Sequence, residues 1–379
     1  MARLCIVTQN HSRPARGGSE QQIECLLDAL IERRTHDIYF LAHFVGTDSQ
    51  PNGYRVVRIG RGHQVSRFGY WIDAIPLYRA LRAIRPDVIY QRVGCGYTGI
   101  AAHYARRNQA RMIWHVASDA DVSPGNAVFY GRNFVQHYIE KGCITYGIRH
   151  ADGIIVQTEH QAADLARHYG RKADAVVPNF HPEPSETINK DGPLSVVWVA
   201  NLKALKQPEV FIRLAARLDD LVGVRFIIVG AMQGSKVWRE QLMRAIQSVT
   251  NVDYLGAKTQ REVNELLARA HVLVNTSITE GYPNTFIQAW QRGVPVISLS
   301  VNPDGVLDRQ GIGIHAGSEQ RLEEAVRRLL GDAALRNEYA ARAREYASRR
   351  HSLRNTDALI RLIETGEIAS ENVPMRVPQ

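Results

Sequence analysis

Nothing in this 379-residue sequence stays apolar long enough to cross a bilayer. The longest apolar runs, such as residues 225–229, fall far short of the ~20 residues a spanning helix needs. Cysteine is scarce. The four, Cys5, Cys25, Cys95 and Cys143, include no Cys-x-x-Cys pair, which argues against a zinc or redox site. The chain opens on Met1-Ala2-Arg3-Leu4-Cys5-Ile6-Val7-Thr8, which reads straight into a strand and lacks the apolar core and cleavage site of a signal peptide. With no export signal, the cysteines read as reduced, mostly buried thiols of a cytoplasmic protein. Tandem repeats, low-complexity tracts and dense basic blocks are also missing. With the composition, these absences set aside the collagen-like, disordered and coiled-coil classes, and a chain of this length needs no disulfide or metal staple.

What is present is globular: 45% hydrophobic and 22% charged residues, in a length that suggests two or three domains. The net charge of +9 is uneven. Residues 1–180 carry 22 Lys and Arg against 15 Asp and Glu, and the remainder carries 25 against 23. Such asymmetry either marks a half that faces an anionic partner, such as a phospholipid surface, or reflects an arginine-rich proteome.

Strand and helix signals alternate through the first half. Residues 4–8 are a short apolar run, after which Ile23, Leu26, Leu27 and Leu30 recur at amphipathic-helix spacing. Strands are expected at 38–44, 54–59, 88–90, 112–116 and 153–157, with helices between them, for example at 75–83 and 98–107. Residues 181–193, polar and holding Pro182, Pro184 and Pro193, read as the joint. Alternation then restarts with strands at 194–200, 224–229, 252–255, 272–276 and 294–299, and helices at 209–218, 236–248, 261–270 and 285–292. A helical tail runs from Glu319 to about Ile368. The expected fold class is α/β: two Rossmann-like, doubly wound domains, 1–182 and 183–352, facing each other across a cleft. For the tail over 353–379, one course is a crossing back to the first domain. Ligands of such sheets sit at the carboxyl ends of the strands.

Three stretches follow strands and precede helices. Arg16-Gly17-Gly18-Ser19-Glu20 lets backbone approach a ligand at a helix N-terminus, although the same residues serve equally as a Gly-Gly turn capped by Ser19. It is neither Gly-x-Gly-x-x-Gly nor a Walker loop. Ala200-Asn201-Leu202-Lys203-Ala204-Leu205-Lys206 places two lysines where a strand opens into a loop, suited to phosphate oxygens or simply to solvent. Thr279-Glu280-Gly281-Tyr282-Pro283-Asn284-Thr285-Phe286-Ile287-Gln288 sets a carboxylate before a helix that Asn284 or a near neighbour caps. Gln288 lies one turn further on a similar face. A carboxylate beside a phosphate-binding helix end suits a ligand with both hydroxyls and phosphate, such as a sugar nucleotide.

Taken in order, Gly-Gly-x-Glu, the lysine loop and Glu-Gly-x-Pro-Asn make the chain resemble the retaining glycosyltransferases of the GT-B fold, family 4 (glycosyl transferases group 1). The resemblance covers the whole chain, and its specific part is 279–300. It implies catalytic roles for His115, Glu280 and Lys206, and donor contacts at Gly17, Gly18, Asn201, Lys203, Gly281, Tyr282, Pro283, Asn284, Thr285 and Gln288. Arg92 and Asp119 become candidates for the acceptor side, Arg92 as a phosphate ligand. Two positions depart from the family pattern. The second glutamate of its Glu-x7-Glu motif falls on Gln288, and the arginine of its diphosphate pair falls on Asn201.

The expected reaction moves a sugar from a nucleoside diphosphate sugar to an acceptor hydroxyl with retention, in synthesis of a bacterial surface polysaccharide or glycolipid. The partners implied are the nucleotide sugar, a saccharide or lipid-linked acceptor and an anionic membrane surface, with no nucleic acid. No cofactor and no metal are expected. Asp119-Ala120-Asp121 could hold a metal against a diphosphate, but the helix end makes one unnecessary. The expected location is the cytoplasm, extending to the inner face of the cytoplasmic membrane. Two other readings stay open: a sugar-nucleotide 2-epimerase of the same fold, and a catalytically silent subunit supporting a partner, favoured by Asn201 and Gln288.

Overall fold

The apolar runs form parallel strands because helices cover both faces of each sheet, leaving no polar face to alternate with. The computed structural model describes residues 1–11, 17–46, 51–60, 69–123 and 134–367. Arg16 and the tail from 368 onward therefore lie outside the described residues. The chain divides into two compact units, Met1–Asn179 with Leu353–Gln379, and Phe180–Ser352.

In the first unit, β1 (Ala2–His11), β2 (His36–Val45), β3 (Arg55–Arg58), β4 (Val88–Arg92), β5 (Arg111–His115), β6 (Gly153–Val156) and β7 (Ala175–Val176) form one sheet. Its order is β3-β2-β1-β4-β5-β6-β7. β1 lies in parallel between β2 and β4, with Ala2 opposite His36 and Leu4 opposite Val88. Cys5, Val7, Ile89, Met112, Trp114, Ile154 and Val156 point to one face. There they meet α2 (Ala74–Ile84) through Leu77 and Leu81, α3 (Gly96–Asn108) through Ala101 and Ala105, and α5 (Phe134–His150) through Ile148. A short helix, α4 (Asp119–Val122), follows β5, and α6 (Glu159–Tyr169) follows β6. Earlier in the chain, α1 (Gly18–Arg33) buries Ile23, Leu26, Leu27 and Leu30, as the spacing predicts. The last described helix, α14 (Asn355–Thr365), belongs to this unit. Arg111 donates to the Ile363 carbonyl at 2.6 Å, and Arg33 pairs with Asp357.

In the second unit, β8 (Ser195–Val199), β9 (Arg225–Val229), β10 (Val252–Tyr254), β11 (Val272–Asn275), β12 (Val296–Ser298) and β13 (Gly313–His315) are ordered β10-β9-β8-β11-β12-β13. One face packs Trp198, Phe226, Ile228 and Val274 against α7 (Pro208–Arg217), α8 (Lys236–Gln247) and α12 (Glu319–Gly331). The other packs Val197, Val229, Leu273 and Val296 against α9 (Gln260–Leu267), α10 (Asn284–Gln291) and α13 (Ala333–Arg350). A one-turn helix, α11 (Val306–Arg309), lies between β12 and β13.

The proline-rich segment expected to be a joint is fastened to this unit. Glu186 pairs with Arg292, and Lys190 donates to the carbonyls of Leu267 and Ala270 at 2.8 and 2.6 Å, closing the C-terminal end of α9. Each sheet reverses its winding once, between β1 and β4 and between β8 and β11. In each unit, the loops after the two strands at the reversal border the crevice where such sheets bind ligands.

Candidate active site

The first unit's crevice is lined by the ends of β1, β4 and β5. Past β1 the chain enters α1 at Gly17, which holds the capping position at φ −90°, with no side chain acting as cap. Ser19 is therefore not the cap. A Cβ on Gly17 would lie 2.6 Å from a carboxylate oxygen of Glu20, a side chain that also accepts from Asn10 Nδ2 at 2.9 Å and would have to shift.

At the end of β4, parallel register sets Arg92 directly opposite His115 on β5. Arg92 is 1% exposed. Its Nη2 donates to Asn179 Oδ1 at 2.7 Å, and its Nη1 lies 3.1 and 3.4 Å from the two ring nitrogens of His115. Tyr90, two residues earlier on the same face, has its hydroxyl 2.6 Å from His115 Nδ1. Burial, and then the Arg92 charge, push the His115 proton affinity well below the usual imidazole range, so the ring is neutral. Val93 follows at φ 75°, strained for a β-branched residue. The turn is held by Gln91 Nε2, which donates to the carbonyls of Arg92 and Val93 at 2.9 and 2.6 Å.

Asp119 opens α4, and its Oδ1 accepts from Gln161 Nε2 at 2.9 Å. Asp121 turns the other way and accepts the backbone N–H groups of Ala117 and Ser118 at 2.9 and 3.2 Å. The two carboxylates thus serve different partners.

In the second unit, the loop after β8 and the loop after β11 are stitched together. Thr276 Oγ1 is 2.7 Å from the Lys206 carbonyl and receives Trp198 Nε1–H at 2.9 Å, while Ile278 N–H donates to the Leu205 carbonyl at 3.0 Å. This brings Lys206 against Glu280 in an ion pair, with side chains 14% and 20% exposed. Ser277 Oγ donates to the same Glu280 oxygen at 2.8 Å. Leu202 bridges to Met232, tying the lysine loop to the loop after β9. Gly230, at φ 149°, is required there: a Cβ would come within 1.8 Å of the Ala200 carbonyl oxygen. Asn201 is half-buried and Lys203 exposed on that loop.

The loop after β11 ends in buried Gly281-Tyr282-Pro283, and α10 begins at Asn284. Asn284 is not the cap. Pro283, held near φ −63° by its ring with ψ 123°, takes the capping position without a capping side chain, and Asn284 and Thr285 are already helical. α10 thus starts four residues after Glu280 with no capping side chain, and a helix start of this kind favours an anion.

Comparison with known proteins bears on the family and the fold. Residues 193–332 match the family described as "Glycosyl transferases group 1", and residues 17–179 match "Glycosyl transferase 4-like domain". The chain belongs to the group 1, family 4 glycosyltransferases. It is 25% identical over 191 residues to the D-inositol 3-phosphate glycosyltransferase of Rhodococcus opacus, covering 43% of this chain and 41% of that one. It is 30% identical over 128 residues to the phosphatidylinositol N-acetylglucosaminyltransferase gpi3 subunit of Schizosaccharomyces pombe, covering 33% of this chain and 27% of that one. These matches span at most about two fifths of the relatives' length. Among solved structures, the Anabaena protein Alr3699/HepE in complex with UDP and glucose superposes with a TM-score of 0.76 at 16% identity, over 97% of this chain and 100% of that one. WaaG, a glycosyltransferase involved in lipopolysaccharide biosynthesis, gives 0.77 at 16% identity over 96% and 100%. At that identity the likeness establishes the fold, and the expected GT-B architecture is the one found.

Within this glycosyltransferase, three expected site residues have other employment. Arg92 is neither a surface arginine nor open to an acceptor phosphate, because burial, its bond to Asn179 and its contact with the His115 ring occupy it. Tyr282 turns its ring into the core, where its hydroxyl meets Tyr346 and His351 at 3.1 and 2.9 Å, so only its backbone faces the loop. Gln288 is 1% exposed, and its Nε2 donates to Gln260 and Asn264, both at 2.8 Å. Sequence reasoning missed Thr276 and Ser277, which position Lys206 and Glu280, and Tyr90. Their only advance signal is their place at strand ends. Burial raises the proton affinity of all four cysteine thiols, so none is a ready nucleophile.

Proposed function

We propose that this glycosyltransferase transfers a sugar from a nucleoside diphosphate sugar to an acceptor hydroxyl with retention of configuration. The observation that carries the reading is the Lys206–Glu280 pair, with Glu280 on the loop that leads into α10. A cation and helix amides suit a diphosphate, and a carboxylate with one oxygen already taking a hydroxyl suits sugar hydroxyls. Asn201 and Lys203 on the adjoining loop, Gly281, Pro283 and Thr285 beside the helix start, and Gly17 and Gly18 in the first unit complete the proposed donor contacts.

The C1–O bond to the diphosphate breaks with its electron pair leaving on the diphosphate oxygen. Lys206 and the α10 amides stabilise that charge, and the acceptor oxygen bonds to C1 on the same face. The acceptor proton passes to the leaving phosphate oxygen. His115 contacts the donor sugar, and Asp119 lies on the acceptor side. Lysine and helix amides neutralise the diphosphate, so the reaction proceeds in excess EDTA.

The acceptor in this reading is a saccharide or lipid-linked hydroxyl of surface polysaccharide or glycolipid synthesis, met at the inner face of the cytoplasmic membrane. The outer surfaces of α2, α3 and α5 support it. They present Arg79, Arg82, Arg106, Arg107, Lys141 and Arg149, all exposed, with Ile75 at 64% exposure, while their one acid, Glu140, is buried. Cations interleaved with apolar side chains suit an anionic lipid surface. No helix among the described residues is long and apolar enough to cross a membrane.

A thermal-shift screen of UDP, GDP, ADP, TDP and CDP, each with and without its sugar, tests the donor reading. A bound nucleotide raises the melting temperature in proportion to ln(1 + [L]/Kd), and no shift with any of them would end it. Gln288, engaged with Gln260 and Asn264, favours one rival: a silent subunit. That rival predicts nucleotide binding without hydrolysis or transfer across a full acceptor panel.

A further inference from the structure

His115 is held from one neighbouring strand by two side chains that play different parts. The Tyr90 hydroxyl approaches Nδ1 at 2.6 Å, a hydrogen-bond distance, and the rings stand nearly perpendicular at 82°. Arg92 Nη1 is almost equidistant from the two ring nitrogens, at 3.1 and 3.4 Å. A donor in line with the Nδ1 lone pair would lie much farther from Nε2. The guanidinium therefore rests over the face of the imidazole instead of bonding to its edge.

A cation in that position orients the phenol. It draws the Tyr90 oxygen's lone pairs toward itself, as its lowering effect on the otherwise raised Tyr90 proton affinity indicates. The phenol hydrogen is left to point at Nδ1, which must then accept. We propose that Tyr90 and Arg92 are positioning residues that fix His115 as the tautomer carrying its proton on Nε2.

The consequence concerns mechanism. An Nε2–H group donates one hydrogen bond and has no lone pair at that nitrogen, so His115 offers the substrate a donor and never a base. That suits a step in which the leaving phosphate takes the acceptor's proton. Only this consequence rests on the proposed transfer reaction; the tautomer does not.

Further observations fit a built arrangement. Arg92 is a buried cation with no carboxylate within ion-pair distance among the described residues, and its Nε has no hydrogen-bond partner. Such a group is costly unless its position is needed. Strain at Val93, φ 75°, sits immediately after it. Of the charged groups nearby, Arg92 acts on His115 directly, and Asp121 on α4 interacts with Arg92 in turn.

The test is long-range 1H–15N correlation of the full chain labelled at histidine, with His115→Gln assigning the resonance. The wild type is expected to show Nδ1 as an unprotonated acceptor and Nε2 as protonated, without titration between pH 5.5 and 8. Tyr90→Phe, nearly isosteric, is expected to shift Nδ1 and mix the tautomers. Arg92→Met is expected to move the titration up toward the ordinary range and to add an acid limb to kcat/KM, which Arg92→Lys reverses. A proton on Nδ1 in the wild type, or ordinary titration of its His115, overturns the proposal. An unchanged His115 spectrum in Tyr90→Phe also overturns it, even if the Arg92 variants fail to fold. Because the spectrum needs no substrate, lack of transfer activity would count against the function alone.

Discussion

The Lys206–Glu280 pair gives a prediction in which two substitutions move one binding constant in opposite directions. In the free protein the Lys206 ammonium is held by Glu280, and both are largely shielded from water. A diphosphate must share that cation or take it. A charge-assisted hydrogen bond contributes about 1.5–3 kcal/mol, and sharing loses part of it. Glu280→Gln keeps the shape but releases the cation, so free nucleoside diphosphate should bind about 5–30-fold more tightly, the factor for about 1–2 kcal/mol. Turnover should nevertheless fall, because the carboxylate no longer meets the sugar hydroxyls. Lys206→Ala should weaken nucleotide binding and lower turnover by about 100-fold, as when an oxyanion-type donor is removed. It leaves Glu280 with Ser277 as its named hydroxyl donor, which costs stability of about 1 kcal/mol, or roughly 2–4 °C in a domain of this size. The assay is titration calorimetry with the nucleoside diphosphate beside nucleotide-release kinetics for both variants and the double mutant, whose effects should not add. Wild-type turnover in folded Lys206→Ala would remove the lysine from the site. Equal weakening of nucleotide binding by both substitutions would refute the competition argument.

Other consequences can be measured independently. Burial holds the His181 imidazole down to about 4 and also lowers His115, His36 and His271. At these four histidines the unfolded chain binds more protons than the native one below about pH 6.5, so the stability they contribute should fall as pH drops from 6.5 toward 4. His181 alone corresponds to about 3 kcal/mol at 1.36 kcal/mol per unit, and urea unfolding at pH 7 and 4.5 should show His181→Gln losing less than the wild type. Gly230→Ala drives a methyl group into the Ala200 carbonyl at a backbone angle closed to alanine, so a loss of about 3 kcal/mol or more is expected in thermal melts. Arg79→Glu/Arg82→Glu/Arg106→Glu should lower flotation with anionic vesicles by at least 100-fold at low salt, at about 1 kcal/mol per charge removed. Equal flotation would put any membrane contact on another surface.

The strands were legible because burial on both faces leaves an unbroken apolar run, as at Leu4-Cys5-Ile6-Val7. The exceptions are β7 and β13, two and three residues long, which the sequence did not mark as strands. The tail reads as helical throughout because Ala, Leu, Glu and Arg, all good helix formers, dominate it. In the structure Asp332 ends α12 and caps α13, and a break before Asn355 starts α14. Glu280 and Lys206 could be singled out because each follows a strand, yet nothing local says that they meet, since 74 positions separate them. Tyr282 counts among the donor contacts by sequence because nothing local shows the groups that cover it, Tyr346 and His351, which come from the distant α13 and the residue after it.

By itself, then, the sequence determined the alternation of strands and helices, the two-sheet α/β class and the strand-end loops where chemistry gathers. All of these follow from local periodicity and from glycine and proline chemistry. Tertiary structure alone decided which polar groups are free to act. Parallel register set Arg92 over His115, packing of α9 on α10 occupied Gln288, and the stitched loops closed Lys206 on Glu280. A side chain's partners depend on residues far away in the chain, and its charge and hydrogen bonds take their meaning only once burial has removed water as the alternative partner.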